Sequence, residues 1–379
     1  MERAELKQRL VRAVEQAVGA SQVIEAGQEI FVVAPEQVDD VRARIGDVPP
    51  ASAGELGWLL VASGGTSGRL KFARHDEETV GAAVRGFCAH FGLSRVNAVS
   101  VLPLHHVSGL MAWMRCTLTG GEYVAWDWKR LEGGERPPVD AGEGDWVISL
   151  VPTQLQRLLG QPAAVEWLRG FRVIFVGGGP VWPQLADTAA AARLPIALSY
   201  GMTETAAMVT ALRPEEFLAG ARSSGTALPH ARVQIDAEGR VRVGGASLFR
   251  GYYPERVDER EFLTGDLGRL DERGQLHVLG RADAMIITGG KKVQPEEVEA
   301  ALRASGEFAE VVVLGVPDAE WGESVVACYP RAAGCEPDLA RAVAEMAPWK
   351  RPKRFVAVEV WPRNAQGKVN RAALRAAVT

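Results

Sequence analysis

Between residues 57 and 203 the chain repeats one pattern: a short apolar run, then a longer polar or amphipathic stretch. The runs are GWLLVAS (57–63), AVSVLPL (98–104), VISLVPT (147–153), FRVIFVGG (171–178) and PIALSYGMT (195–203). Continuous apolar runs of this length read as strands buried on both faces, and the stretches between them, such as residues 76–92, read as helical crossovers. Strand alternating with helix predicts a largely parallel, layered α/β domain. Ligands on such sheets gather beyond the carboxyl ends of the strands. Those ends carry Ser63, Gly64, Thr66, His105, His106, Thr153, Gly177, Gly178, Tyr200, Thr203 and Glu204.

Upstream, Leu6, Leu10, Val11, Val14 and Val18 have helical spacing, and EIFVVAP (29–35) reads as another buried strand. After about residue 223 the pattern changes to short β-rich runs joined by Glu-Gly and Arg-Gly turns, which predicts an antiparallel β subdomain over about 223–282. From residue 283 it changes again. A helix opened by Pro295, the runs EVVVLGVP and SVVACYP, and a further helix near 336–347 predict a small α+β domain over 283–379. Residues 1–282 then form the large domain, and LEGGERPPVDAGEGD (131–145) reads as a surface loop.

At 379 residues the chain exceeds the size at which single cores stop growing, which agrees with this division. A net charge of −4 supplies no general attraction to nucleic acid or anionic membrane. The cysteines at 88, 116, 328 and 335 form no CxxC pair, so neither a zinc site nor a disulfide framework is indicated; they fit reduced thiols. The start, MERAELKQRL, is charged and lacks the apolar core of a signal peptide, and no uncharged apolar run reaches spanning length. The expectation is a cytoplasmic protein.

VASGGTSGRLKFA (61–73) packs glycines, hydroxyls, an arginine and a lysine behind an apolar run. Its backbone amides and Lys71 suit a phosphate, and a solvated turn explains it as well. It is not the common P-loop, which needs the lysine directly after the last glycine, and GGGP (177–180) is not the dinucleotide fingerprint. In SYGMTETAAMVT (199–210), Tyr200 suits a base, Thr203 a phosphate and Glu204 a Mg²⁺ ion; Thr203 as the N-cap of a following helix is the other reading. Asp266 in FLTGDLGRL suits two vicinal ribose hydroxyls or an Asx-turn. Arg281, Asp283 and the lysines of TGGKK form either a site or a charged linker, and Lys368 in NAQGKVNR is either functional or a solvated tail charge. The pair His105–His106 lacks acidic or thiol neighbours for a metal and reads better as a pocket wall.

The order of these motifs resembles the acyl-adenylate-forming (AMP-binding) enzymes. SGGTSGRLK is similar to that family's phosphate loop, SYGMTET to its Tyr-Gly-x-Thr-Glu signature and TGDLG to its ribose-binding aspartate. GRADAMIITGGKKVQPEEVE resembles the hinge, and NAQGKVNR the C-terminal catalytic lysine motif; together they span residues 63 to 370. The resemblance implies an ATP-dependent, Mg²⁺-assisted acid–CoA ligase with coenzyme A as co-substrate. It places Ser63, Gly64, Thr66, Ser67 and Lys71 on the β- and γ-phosphates, Thr203 on the α-phosphate and Glu204 on Mg²⁺. Gly178, Gly179, Tyr200 and Gly201 would frame adenine, Asp266 and Arg281 would hold ribose, Asp283 would be the hinge, and Lys368 would bridge phosphate and carboxylate.

Two departures stand out: Leu70 and Phe72 replace the family's usual proline and glycine around the lysine, and only 62 residues precede the loop. A trimmed N-terminal region would leave a sheet edge for a partner copy, so the expectation includes a homodimer. LPLHHVSGLMAWMR and VPTQLQRLL look most like the o-succinylbenzoate–CoA ligase branch of menaquinone and phylloquinone synthesis. An aromatic dicarboxylate keeps one carboxylate unreacted, so its pocket needs a cation. Arg115, seven residues past Ser108, is the candidate, with His106, Ser108 and Thr153 as further lining. Another aryl or medium-chain acid, or an inactive nucleotide-binding homologue, are the alternatives.

Overall fold

The computed structural model describes residues 3–16, 21–46, 57–64, 70–257, 260–331, 336–363 and 369–378. Helix α1 (Arg3–Gln16) buries Leu6, Leu10 and Val14 from one face. Strands β1 (Gln22–Ala26) and β2 (Glu29–Val33), helix α2 (Val38–Gly46), and strands β3 (Leu59–Gly64) and β4 (Leu70–His75) follow. The four strands form one sheet in chain order, parallel only between β2 and β3. The run at 57–63, expected among the parallel strands, therefore belongs to a separate sheet. The reason is chain length. Residues 65–69 are far too few for the crossover a parallel neighbour needs, so the chain returns antiparallel as β4.

Helix α3 (Glu77–Phe91) starts at Asp76, whose carboxylate accepts from the amides of Glu78 and Thr79, and ends at Gly92 with φ +66°. The central sheet takes β5 (Asn97–Ser100), then, beyond helix α4 (Val107–Thr119), β6 (Tyr123–Ala125), β7 (Trp146–Leu150), β8 (Val173–Val176) and β9 (Ile196–Met202). These five pair in parallel, as expected for β5, β7, β8 and β9; the three-residue β6 was not among the expected runs. β10 (Ala207–Ala211) and β11 (Thr226–Ala227) then extend the sheet antiparallel, giving the order β11-β10-β9-β8-β7-β5-β6. Side chains alternate between two cores. Ile148, Ile174 and Ile196 pack under the helices Pro152–Leu159, Pro162–Arg169 and Pro183–Ala191, while Val147, Val173 and Ala197 pack with Phe87, Ala112 and Cys116 of α3 and α4.

The loop expected at 131–145 is largely irregular, but Leu131 and Ala141 are buried in the first of these cores, so it is tied down. After β9 the expected helix is replaced by one 3₁₀ turn, Thr203–Thr205, and β10. Gly201 permits that reversal: a Cβ there would lie 2.0 Å from the Ala207 carbonyl oxygen.

The expected antiparallel subdomain is the four-stranded sheet β12 (Ala231–Ile235), β13 (Arg240–Gly245), β14 (Glu261–Leu270) and β15 (Leu276–Arg281). The segment 249–253 straps it to the N-terminal sheet: Arg250 N donates to Arg74 O (2.8 Å), Arg74 N to Gly251 O (2.9 Å) and Tyr253 N to Phe72 O (2.9 Å). Beneath the strap, Arg74 is almost wholly buried, yet Glu29 and the carbonyls of Gly57, Pro254 and Glu255 accept from its guanidinium. The remaining chain forms β16 (Ile286–Thr288), β17 (Lys291–Val293), β18 (Val312–Asp318), β19 (Gly322–Pro330) and β20 (Arg354–Val358). Helices Pro295–Ala304 and Arg371–Val378 cover opposite faces of that sheet, with Val298 and Leu302 in one core and Leu374 and Val378 in the other. Among the described residues no helix is long and apolar enough to cross a membrane.

Candidate nucleotide and acid site

The carboxyl end of β3 and the turn after β9 meet at one point. Ser63 Oγ donates to Glu204 Oε1 at 2.6 Å, and the Tyr252 hydroxyl donates to the same oxygen at 2.7 Å. Thr203 Oγ1 lies 3.5 Å from the Ala62 carbonyl oxygen, and Nε2 of His75 lies 2.7 Å from the Thr203 carbonyl oxygen. That bond assigns the proton to Nε2, while burial holds His75 below the usual histidine range. Glu204 is 7% exposed, and among the described residues no donor reaches its Oε2. One oxygen pinned and one left over suits Mg²⁺, which is commonly held by one or two carboxylates and completed by phosphate oxygens. Lys71 is exposed on β4, with its Nζ 5.0 Å above the Tyr252 ring.

Along the same rim, the Tyr200 hydroxyl donates to Asp266 Oδ2 at 2.7 Å. Burial and the Asp266 charge raise the Tyr200 pKa, so the phenol keeps its proton. Arg281 Nη1 lies 3.5 Å from Asp266 Oδ1, and Arg281 makes two shorter bonds to Asp283, at 2.9 and 2.7 Å. Asp266 retains acceptor capacity, since an ionised carboxylate has about four lone-pair sites. Gly178, with φ +75°, and Gly179 are exposed just past β8, and Gly201 is exposed on β9. Two linked clusters result: Ser63, Glu204 and Lys71 around Tyr252, and Tyr200, Asp266, Arg281 and Asp283, with Gly201 and Thr203 between them in the chain and Gly64 beside Ser63. Thr66, Ser67 and Lys368 lie outside the described residues.

A second group lies along α4. His106 stands at its N-cap, its ring 4.2 Å from that of His105, whose Nδ1 lies 3.0 Å from Ser21 Oγ. Ser108 in the first turn of α4 and Thr153 in the first turn of the helix after β7 are half-buried. Arg115 follows Ser108 by seven residues, about 10 Å along the axis, and helical side chains lean back toward the N-terminus.

Arg115 is 3% exposed, its guanidinium is centred 4.2 Å over the Phe87 ring, and among the described residues its Nε has no hydrogen-bond partner. Among the described residues no carboxylate pairs with it. Burial lowers its pKa to about 10. His230 stands close by, against Gly86, where a Cβ would meet its Nδ1 at 1.9 Å. Both His230 ring nitrogens are buried, and desolvation, opposed by the Met208 carbonyl and reinforced by the Arg115 charge, leaves its pKa at about 4. Arg115 is thus neither turned to solvent nor paired with a local acid.

Tyr252, His75, Phe87 and His230 escape a reading of the sequence. RGYY carries no motif-like spacing around Tyr252, and Phe87 and His230 are 143 positions apart. Only the strap and the packing of α3 on α4 bring them to the site.

A half-free carboxylate beside hydroxyls and a lysine, a second carboxylate beside a tyrosine, and a separate buried cation are groups that an adenylating site requires. The chain belongs to the AMP-binding enzyme family: the AMP-binding enzyme model matches residues 6–253, and the AMP-binding enzyme C-terminal domain matches residues 297–368. Among its relatives is the 2-succinylbenzoate–CoA ligase of Geobacillus kaustophilus (strain HTA426), 32% identical over 351 residues, covering 85% of this chain and 69% of the relative. Similar solved structures include ATP-bound MatB from Rhodopseudomonas palustris, with 26% identity and TM-score 0.74, covering 90% of this chain and 78% of that one. O-succinylbenzoate coenzyme A synthetase (MenE) from Bacillus subtilis, in complex with ATP and magnesium ion, has 25% identity and TM-score 0.71, covering 88% and 74%.

Proposed function

We propose that the chain is an AMP-forming acid–CoA ligase converting o-succinylbenzoate to o-succinylbenzoyl-CoA, a cytoplasmic step of menaquinone or phylloquinone synthesis. The buried, unpaired guanidinium of Arg115 carries the substrate assignment. An isolated charge in such a place is costly unless an anion completes it, and the spare carboxylate of an aromatic dicarboxylate supplies one. A fatty acid would leave the cation stranded. The relatives' names agree with this choice.

In the first half-reaction the acid's carboxylate attacks the α-phosphorus of ATP, giving acyl-AMP and pyrophosphate. Ser63, Gly64, Thr66, Ser67 and Lys71 hold the β- and γ-phosphates, Thr203 the α-phosphate, and Asp266 with Arg281 the ribose, while Gly178, Gly179, Tyr200 and Gly201 frame adenine. Bound at Glu204, Mg²⁺ would supply charge neutralisation for the phosphates. Lys368 bridges the α-phosphate and the attacking carboxylate, while His106, Ser108 and Thr153 line the acyl pocket. In the second half-reaction the coenzyme A thiol attacks the acyl carbonyl and AMP leaves. The domain from residue 283 onward turns about Asp283 between the two steps.

Pyrophosphate release measured over a panel of acids tests the assignment. O-succinylbenzoate is expected to be the best substrate by at least tenfold. Strong turnover of benzoate or a medium-chain acid with none of o-succinylbenzoate would replace it, and no turnover of any acid would favour a binding-only homologue. β1 forms one edge of the N-terminal sheet, and we assign a second copy of the chain to cover it. Light scattering should give the mass of two chains; the mass of one would remove the dimer.

A further inference from the structure

We propose that Tyr252 is a positioning residue of the nucleotide site, turning the Glu204 carboxylate toward a divalent cation and holding Lys71 at a set distance from it. The inference rests on the ligase reading only in that the cation arrives with ATP. Left to itself, a carboxylate rotates about its last C–C bond and offers either oxygen. Here Tyr252 and Ser63 both donate to Oε1, at 2.7 and 2.6 Å, so one oxygen is occupied and the plane of the group is set. Oε2 is the oxygen left for the cation.

The other face of the same phenol meets the phosphate lysine. Lys71 Nζ lies 5.0 Å from the centre of the Tyr252 ring, within range of a cation–π contact. Tyr252 is itself held. Its backbone bridges Ala73 on the strand that carries Lys71, its ring packs edge-on against Phe249 at 4.9 Å, and Phe249 N donates to the Glu204 carbonyl oxygen at 2.9 Å. One side chain therefore sets two charged groups of opposite sign, one for the metal and one for the phosphates. No Lys or Arg pairs with Glu204 among the described residues, so the hydroxyls carry that orientation. A purely structural role, satisfying a buried carboxylate, would show in stability and leave cation affinity alone.

The test uses the full chain, with Mn²⁺ as the probe and saturating ATP but no acid, so that nothing turns over. Free and bound Mn²⁺ are read by electron paramagnetic resonance in the wild type, Tyr252→Phe and Tyr252→Leu, with folding checked by circular dichroism. Tyr252→Phe keeps the ring and loses the hydroxyl. It should weaken Mn²⁺ binding about tenfold or more, as loss of partners around metal ligands does, while metal-free ATP affinity stays within twofold. Tyr252→Leu loses the ring face as well and should also weaken metal-free ATP binding severalfold. Wild-type Mn²⁺ affinity in folded Tyr252→Phe, or in folded Tyr252→Leu, would overturn the role of Tyr252 while leaving the ligase reading intact. A wild type that bound no Mn²⁺ with ATP would overturn both.

Discussion

Replacing Lys368 with alanine should slow acyl-AMP formation by about 10² or more, the loss expected when a preorganised charge aimed at a developing anion is removed. Thioester formation from preformed acyl-AMP and coenzyme A should stay within a few-fold of the wild type. The split would follow from the proposed domain alternation: a lysine that acts where carboxylate meets α-phosphate has no task once that bond exists. The described residues on either side of Lys368 are held in place. Arg363 and Val369 bridge antiparallel, Asn370 N donates to Pro362 O at 2.9 Å, and Arg371 is anchored on Glu299 at 2.6 Å. Rapid-quench measurement of each half-reaction separates the two rates. Equal losses in both would place Lys368 in general structure, and an unchanged first half-reaction would remove it from the mechanism.

Arg115→Leu should lower kcat/KM for o-succinylbenzoate about 10- to 10²-fold, since one charge-assisted bond in a dry pocket contributes roughly 1.5–3 kcal/mol. The same change should leave the melting temperature unchanged or raise it. A buried guanidinium held near a pKa of about 10 costs the fold on the order of 3 kcal/mol, and an apolar side chain removes that cost. Lost activity with undiminished stability is the signature of a group kept for a ligand. 4-Oxo-4-phenylbutanoate, which lacks the ring carboxylate, should be used almost equally by both proteins. Arg74 is the control for this reasoning: it is equally buried, but protein acceptors surround it, so its replacement should destabilise the fold. A fall in melting temperature for Arg115→Leu with kcat/KM intact would make Arg115 a second Arg74.

The legible part of this protein was what local chemistry dictates. The parallel strands β5, β7, β8 and β9 follow from continuous apolar runs separated by helix-length stretches, and the antiparallel subdomain over about 223–282 follows from turn residues between short β runs. Part of the candidate site was legible as strand ends of the parallel sheet, where Thr153, Gly178 and Tyr200 stand; Ser63, Asp266 and Arg281 lie on other sheets. Less legible was pairing. β3 reads like its parallel neighbours, and only the five-residue return to β4 places it in another sheet. Thr203 and Glu204 fit a helix start in sequence; the close approach of Gly201 to Ala207 makes them a 3₁₀ turn before an antiparallel strand.

Sequence by itself therefore determined which residue types make up the proposed nucleotide site and in what order along the chain, because motif spacing is a local property. Tertiary structure alone decided which oxygen of Glu204 is pinned, that Tyr252 reaches it from 48 positions away, and that Arg115 lies buried on Phe87 with no counter-charge among the described residues. Those facts depend on desolvation and on contacts between distant segments. No window of the chain contains them until the strap and the two helices have closed.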